Sequence, residues 1–155
     1  MELARNLRND PVMRLEPSSP RMVDRASTVA EAVALMRREH IGCVLVSENG
    51  TLAGIFTERD LMGRVLAVGK SLETPINDVM TPQPETVNPR DSVRAAVRRM
   101  KSGGHRHLPV VDDDNRPVGM VSAKRIVRYL VEHYPAAVYC QPPDPTAHPA
   151  SAEGA

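Results

Sequence analysis

The sequence predicts an α+β protein, an α/β sandwich in which two pseudo-symmetric β-α-β-β-α repeats pack through their sheets. Three observations lead there. The chain states its order of elements twice: TVAEAVALMRREHIG (28–42) is echoed by SVRAAVRRMKSGGHRH (92–107), and CVLVSENGTLAGIFT (43–57) by LPVVDDDNRPVGMVS (108–122). Within each copy, apolar residues at helical spacing give way to short apolar runs bounded by turn residues. Of the 155 residues 41% are hydrophobic but only 3% aromatic, with no Trp, so the core must be Val, Leu, Ile, Met and Ala. One repeat is too small to cover both faces of its sheet; two packed sheet to sheet do so and create a pseudo-twofold axis.

In the first repeat Thr28 and Glu31 have the spacing of a capping box. Val29, Ala32, Val33 and Met36 then recur on one helical face and should be buried. Gly42 is read as the end of that element, with one strand from Cys43 to Val46 and its return from Leu52 to Phe56. Glu48-Asn49-Gly50 makes the turn between them, because Asn and Gly tolerate positive φ. A second helix is predicted over Glu58 to Ala67, with Thr57 as its cap. The second repeat gives a helix from Ser92 to Lys101 burying Val93, Val97 and Met100. Strands near Leu108–Val111 and Val118–Val121 follow, then a helix from Ala123 to His133. The extra residue of the second copy is placed near Lys101 to Gly104. The organisation read from this is an N-terminal segment (1–19), repeat one (20–67), a linker (68–83), repeat two (84–133) and a Pro-rich tail (134–155) expected to be mobile.

Several function classes are set aside by composition. No apolar run approaches the ~20 residues of a membrane helix, and the charged N-terminal stretch lacks a secretory signal's apolar centre. A cytoplasmic location is expected. Cys43 lies in an apolar run and reads as a packed thiol; Cys140 reads as a free thiol, and the pair offers neither metal spacing nor a disulfide framework. His105 and His107 alternate on a strand but lack a third ligand, so no metal is assigned. There is no activated Ser or Cys, no phosphate-binding glycine loop of the GxxxxGK[ST] type and no metal triad; no catalytic residue, and no cofactor, is predicted. Net charge is +1, yet ten Lys or Arg against four Asp give residues 90–128 a charge of +6, a surface for anions or a partner. Without aromatic platforms or a recognised motif, that surface argues weakly for nucleic acid.

The strand-to-helix corners carry the most. GIFTERDL (54–61) and GMVSAKRI (119–126) keep the glycine and the hydroxyl but exchange Asp60 for Arg125. With DVMTPQPETVNPRDSV and LPVVD, these corners resemble a tandem pair of cystathionine-β-synthase (CBS) domains, a Bateman module, over residues 8–131. The resemblance implies a stand-alone regulatory module that binds an adenine nucleotide (AMP, ADP or ATP) between its repeats. It also implies a flat homodimer acting on an unidentified partner protein. The residues fit such a ligand. Thr57 joins a hydroxyl to a helix N-terminus, a seat for phosphate. Asp60 can accept both hydroxyls of a ribose, and the apolar strand edge at Ile41 and Cys43 can take the base. By resemblance, Arg106, His107 and Lys124 of the opposite repeat supply positive charge to the phosphate. The counterpart site at Ser122 and Arg125 lacks the ribose acceptor, since arginine accepts no hydrogen bond. The competing readings are a constitutive dimeric scaffold that ignores nucleotides, and nucleic-acid binding through the basic second repeat.

Overall fold

A computed structural model describes residues 2–139. Cys140 and the rest of the Pro-rich tail lie outside the described residues. Helix α1 (Glu2–Asn9) and a 3-10 turn (Val12–Leu15) lead into β1 (Met22–Asp24). Helix α2 (Val29–Glu39) starts at a complete capping box: Thr28 Oγ1 accepts from the Glu31 N–H, and the Glu31 carboxylate accepts from the Thr28 N–H. Strands β2 (Cys43–Glu48) and β3 (Thr51–Thr57) form a hairpin turned by Asn49 and Gly50, both at positive φ. The short α3 (Glu58–Asp60) widens at once into a π-helical turn, Leu61–Leu66, closed by the Ala67 N–H on the Met62 carbonyl. After a second 3-10 turn (Ile76–Asp78) come β4 (Thr81–Pro82), α4 (Val93–Gly103), β5 (His107–Val111), β6 (Pro117–Ser122), α5 (Ala123–His133) and α6 (Pro135–Tyr139).

The first sheet runs β1-β2-β3-β4, with β1 parallel to β2 and the other pairs antiparallel. The second has β5 and β6 as its only full strands among the described residues, but single bridges complete the same four lanes. Val87 lies parallel to Val110, as β1 does to β2; Ser18 lies antiparallel to Met120, as β4 does to β3. One outer lane of each sheet therefore comes from the segment that precedes the other repeat. Pro75 bridges Thr28 and Pro11 bridges Ser92, so each crossing segment also docks at the start of the opposite repeat's first helix. The crossing requires glycine. A Cβ on Gly54 would stand 2.5 Å from the Met80 sulfur and 2.8 Å from the Thr81 carbonyl; one on Gly119 would stand 2.8 Å from Pro17 Cβ.

Three apolar layers result. Val29, Ala32, Val44, Phe56 and Val65 pack with Ile76, Val79 and Met80 of the crossing segment. Val93, Ala96, Leu108, Val121 and Tyr129 pack with Val12 and Leu15 of the other. Between the sheets lie Cys43, Leu45, Leu52, Ile55, Val111 and Met120. The expected packing through the sheets is thus present, but each repeat borrows part of its core from chain beyond it.

Several local expectations change. Helix α2 ends at His40, which takes the left-handed conformation (φ 54) ahead of Gly42; Gly104 (φ 64) closes α4 the same way. Thr28 and Ser92, His40 and Gly104, Cys43 and His107, and Val46 and Val110 all keep one separation. The extra residue of the second copy therefore sits in its hairpin, where Val111 pairs Pro117 while Ser47 pairs Leu52. That longer hairpin has a use: the Leu52 N–H donates to the Asn115 carbonyl and the Asn115 amide returns a bond to the Leu52 carbonyl, joining the repeats. On α4 the buried face carries Ala96, and Val97 is 39% exposed. The small Ala96 lets the Val12–Leu15 turn approach, and Val97 falls outside that contact. Val33 is only half-buried. Tyr134, placed in the tail by sequence, packs against the second core, and Pro135–Tyr139 is helical.

Candidate functional site

Strand β3 delivers Thr57 to the corner in extended conformation, and a second capping box forms there. Thr57 Oγ1 accepts from the Asp60 N–H at 3.2 Å, while Asp60 Oδ2 accepts from the Thr57 N–H at 3.0 Å and the Thr57 hydroxyl at 3.1 Å. Asp60 is 9% exposed, the one buried charged residue described. Its other oxygen, Oδ1, pairs among the described residues with the Arg64 guanidinium alone, with Nε at 3.6 Å. Thr57 thus fixes one carboxylate oxygen and leaves the second for an incoming donor.

Cys43 pairs with Thr57 across the ladder, and its thiol is pushed up to about 11 by burial and by Glu58. It behaves as a small apolar group in the layer between the sheets. Ile41 is half-buried against the first core, so the apolar edge expected to take a base divides: Ile41 faces the helices and Cys43 the other repeat. His107 holds Cys43's position in the second repeat and pairs with Ser122. Burial and the adjacent Arg106 hold His107 below the usual imidazole range, and Glu58 opposes them. Glu58 joins this arrangement without being singled out by the sequence. It lies against Gly42, where a Cβ would be 3.4 Å from its Oε2, and it acts on both Cys43 and His107. It stands inside GIFTERDL beside the two residues singled out, and an acidic residue in a helix's first turn reads as ordinary dipole compensation. Through Glu58 the structure brings His107 of the second repeat into electrostatic reach of the first repeat's corner. Arg106 is exposed one residue ahead of β5, its carbonyl accepting from the Ala123 N–H; Lys124 is exposed in the first turn of α5. Neither has an ion pair among the described residues.

The second corner is built differently. Ser122 Oγ accepts from the Arg125 N–H at 3.3 Å, so half of the capping box survives. The Arg125 side chain leaves the corner and donates to the Glu16 carbonyl. Ser122 and Arg125 are therefore a helix start and a clamp on the crossing segment. Arg125 also borders a recess of ≈ 230 Å³ with Arg14, Glu16, Arg128, Tyr129 and Glu132. A second recess, ≈ 480 Å³, lies between Gln83–Thr86 and Arg99. Neither is lined by Thr57 or Asp60.

Comparison with known proteins identifies this architecture. The family model for the CBS domain matches residues 9–67 and again 76–132. The chain belongs to the CBS-domain family. This CBS pair is 40% identical over 114 residues to the meiotically up-regulated gene 70 protein of Schizosaccharomyces pombe, covering 72% of this chain and 16% of that protein. It is 37% identical over 95 residues to the CBS domain-containing protein YhcV of Bacillus subtilis, covering 61% and 67% respectively. It thus spans about a sixth of the first relative and two thirds of the second. Among solved structures it resembles the CBS domain pair of protein MJ0100 in complex with 5′-methylthioadenosine and S-adenosyl-L-methionine. There the TM-score is 0.68 and the identity 27%, over 76% of this chain and 97% of that one. It also shares its fold with the CBS domain protein PAE2072 of Pyrobaculum aerophilum complexed with AMP, with a TM-score of 0.70 and 21% identity over 83% and 95%. No helix among the described residues is long and apolar enough to cross a membrane.

Proposed function

We propose that this CBS pair is a cytoplasmic regulatory module that binds one adenine nucleotide at the Thr57–Asp60 corner and passes the result to a partner protein. The observation that carries the reading is the division of labour within Asp60, whose Oδ2 is held by Thr57 while Oδ1 stays open to a ribose hydroxyl. His107, kept mostly neutral yet opposite Glu58, supplies a group that can gain a proton when a phosphate arrives. Arg106 and Lys124 add charge from the same side of the second repeat. The adenosine ligand of the MJ0100 pair supports the ligand class. A ligand bridging both repeats favours one arrangement of them to the extent that it binds that arrangement better. No covalent chemistry is assigned.

A homodimer belongs to this reading. Met62 and Val127 occupy the same place in the two second helices, and they are 64% and 59% exposed. An apolar residue repeated in this way offers a twofold partner a matching pair of contacts. Calorimetric titration with AMP, ADP, ATP and S-adenosylmethionine tests the ligand: one molecule per chain is expected to bind, and Asp60→Ala is expected to abolish it. Indifference of the wild type to all four would leave the constitutive scaffold as the better reading.

A further inference from the structure

Arg64 touches both the candidate site and the chain that leaves it. Its Nε stands 3.6 Å from Asp60 Oδ1, and its Nη1 donates to the Met80 carbonyl at 2.7 Å and the Val79 carbonyl at 3.3 Å. Those carbonyls end the turn whose next residues, Thr81–Pro82, form the outer lane of the first sheet. Beyond that lane the chain reaches Val87, which enters the second sheet. One guanidinium therefore links the carboxylate to the only covalent path between the repeats. It is carried on the π-helical turn Leu61–Leu66, whereas the matching stretch of the second repeat is regular α-helix.

The second repeat shows that clamping the crossing segment does not require this link. Glu16 holds the place of Met80, and its carbonyl accepts from Arg125, which stands where Asp60 stands in the first repeat. Tyr129 holds the place of Arg64, and its hydroxyl bonds the Asp10 carboxylate. Both crossing segments are held by an arginine, but only in the first repeat is that arginine also the counter-ion of a buried carboxylate.

We propose that Arg64 is a relay that makes the grip on Val79–Met80 depend on what occupies Asp60. This rests on the nucleotide reading of the corner. A ribose hydroxyl donating to Oδ1 takes the oxygen that faces Arg64 Nε. The sugar competes with Arg64 Nε for the space in front of Oδ1, and a guanidinium displaced from there is drawn away from its two carbonyl bonds as well. Arg64 acts through Asp60 and the segment and is a positioning residue.

Hydrogen exchange of the full chain, free and with saturating AMP, tests this alongside calorimetry. In the free protein, Arg64→Met should speed exchange at the Met80, Thr81 and Gln83 amides by about tenfold, because local opening there costs less. In the wild type, AMP should speed the same amides, opposite to the slowing that simple covering by a ligand produces. In Arg64→Met, AMP should still bind, but those amides should no longer respond; Arg64→Lys should recover part of the response. Unchanged exchange in free Arg64→Met, slowed amides in the wild type, or a full AMP response in Arg64→Met would each overturn the relay. If the wild type binds none of AMP, ADP, ATP and S-adenosylmethionine by calorimetry, the nucleotide reading fails and the relay with it. The free-protein measurement still reports separately whether Arg64 holds the segment.

Discussion

The two strand-to-helix corners begin from the same hydroxyl cap and then part. In the first, a carboxylate stands at the third helical position and an arginine one turn later; in the second, an arginine stands third and a tyrosine one turn later. Both arginines reach the carbonyl that ends the opposite crossing segment. The clamp is common to both repeats and only its carrier has moved. A carboxylate is therefore not something the scaffold needs at this corner, since the second repeat is built without one. What remains particular to the first repeat is a buried anion with one oxygen held by its cap and the other facing an arginine.

That comparison can be strained where the repeats should agree and where they should differ. Ile76→Ala and Leu15→Ala each remove a buried side chain from one of the two crossing segments, and each should cost about 3 kcal/mol in urea denaturation. A loss below about 1 kcal/mol at Leu15 alone would break the equivalence of the segments. Gly54→Ala and Gly119→Ala push a methyl against the same two segments, at Met80–Thr81 and Pro17–Ser18, and about 2 kcal/mol is expected from each. Differences appear next. Asp60→Ala should lose both the cap, about 1 kcal/mol of stability, and nucleotide binding. Arg125→Ala should cost a comparable or smaller amount of stability, about 1 kcal/mol or less, by freeing the Glu16 carbonyl. Equal loss of nucleotide affinity in both variants would contradict a single site.

A smaller effect separates Cys43 from His107. Because burial and Arg106 lower the His107 pKa, the unfolded chain takes up the proton first as pH falls through about 6.5. The free protein should then lose stability on acidification from pH 7.5 to 5.5. His107→Gln should remove that part of the slope, and a denaturation midpoint that falls just as steeply in the variant would assign the proton elsewhere. At the bottom of the scale, Arg90→Ala breaks an exposed pair with Asp113 and should change stability by less than about 0.5 kcal/mol.

Much of this was legible because it is local. Thr28 with Glu31 and Thr57 read as helix caps whose side chains reach only a few residues, and both act as such. The hairpin at Asn49-Gly50 belongs to the same class, and the packed thiol of Cys43 could be read from its apolar run. Whatever depends on partners distant in sequence stayed hidden. Val12 and Leu15 look like an irregular lead-in until the second core is seen to close over them. The adjacent Gly103 and Gly104 suggest an insertion, whereas His40 fills the same left-handed cap without being glycine. At the candidate site, the cap formed by Thr57 with Asp60 was legible. Glu58 and Arg64 were not, because their significance comes from Cys43, His107 and the Val79 and Met80 carbonyls, all remote along the chain.

The crossing of the two leading segments also bears on how such a chain can be divided. Neither repeat owns a complete wall: Ile76, Val79 and Met80 finish the first core, and Val12 and Leu15 finish the second. A fragment with a single repeat and its own leading segment would present that segment as a loose arm beside an unfilled groove. Two copies would satisfy each other by trading arms, forming a domain-swapped dimer, and gene duplication of such a dimer would yield the topology seen here within one chain.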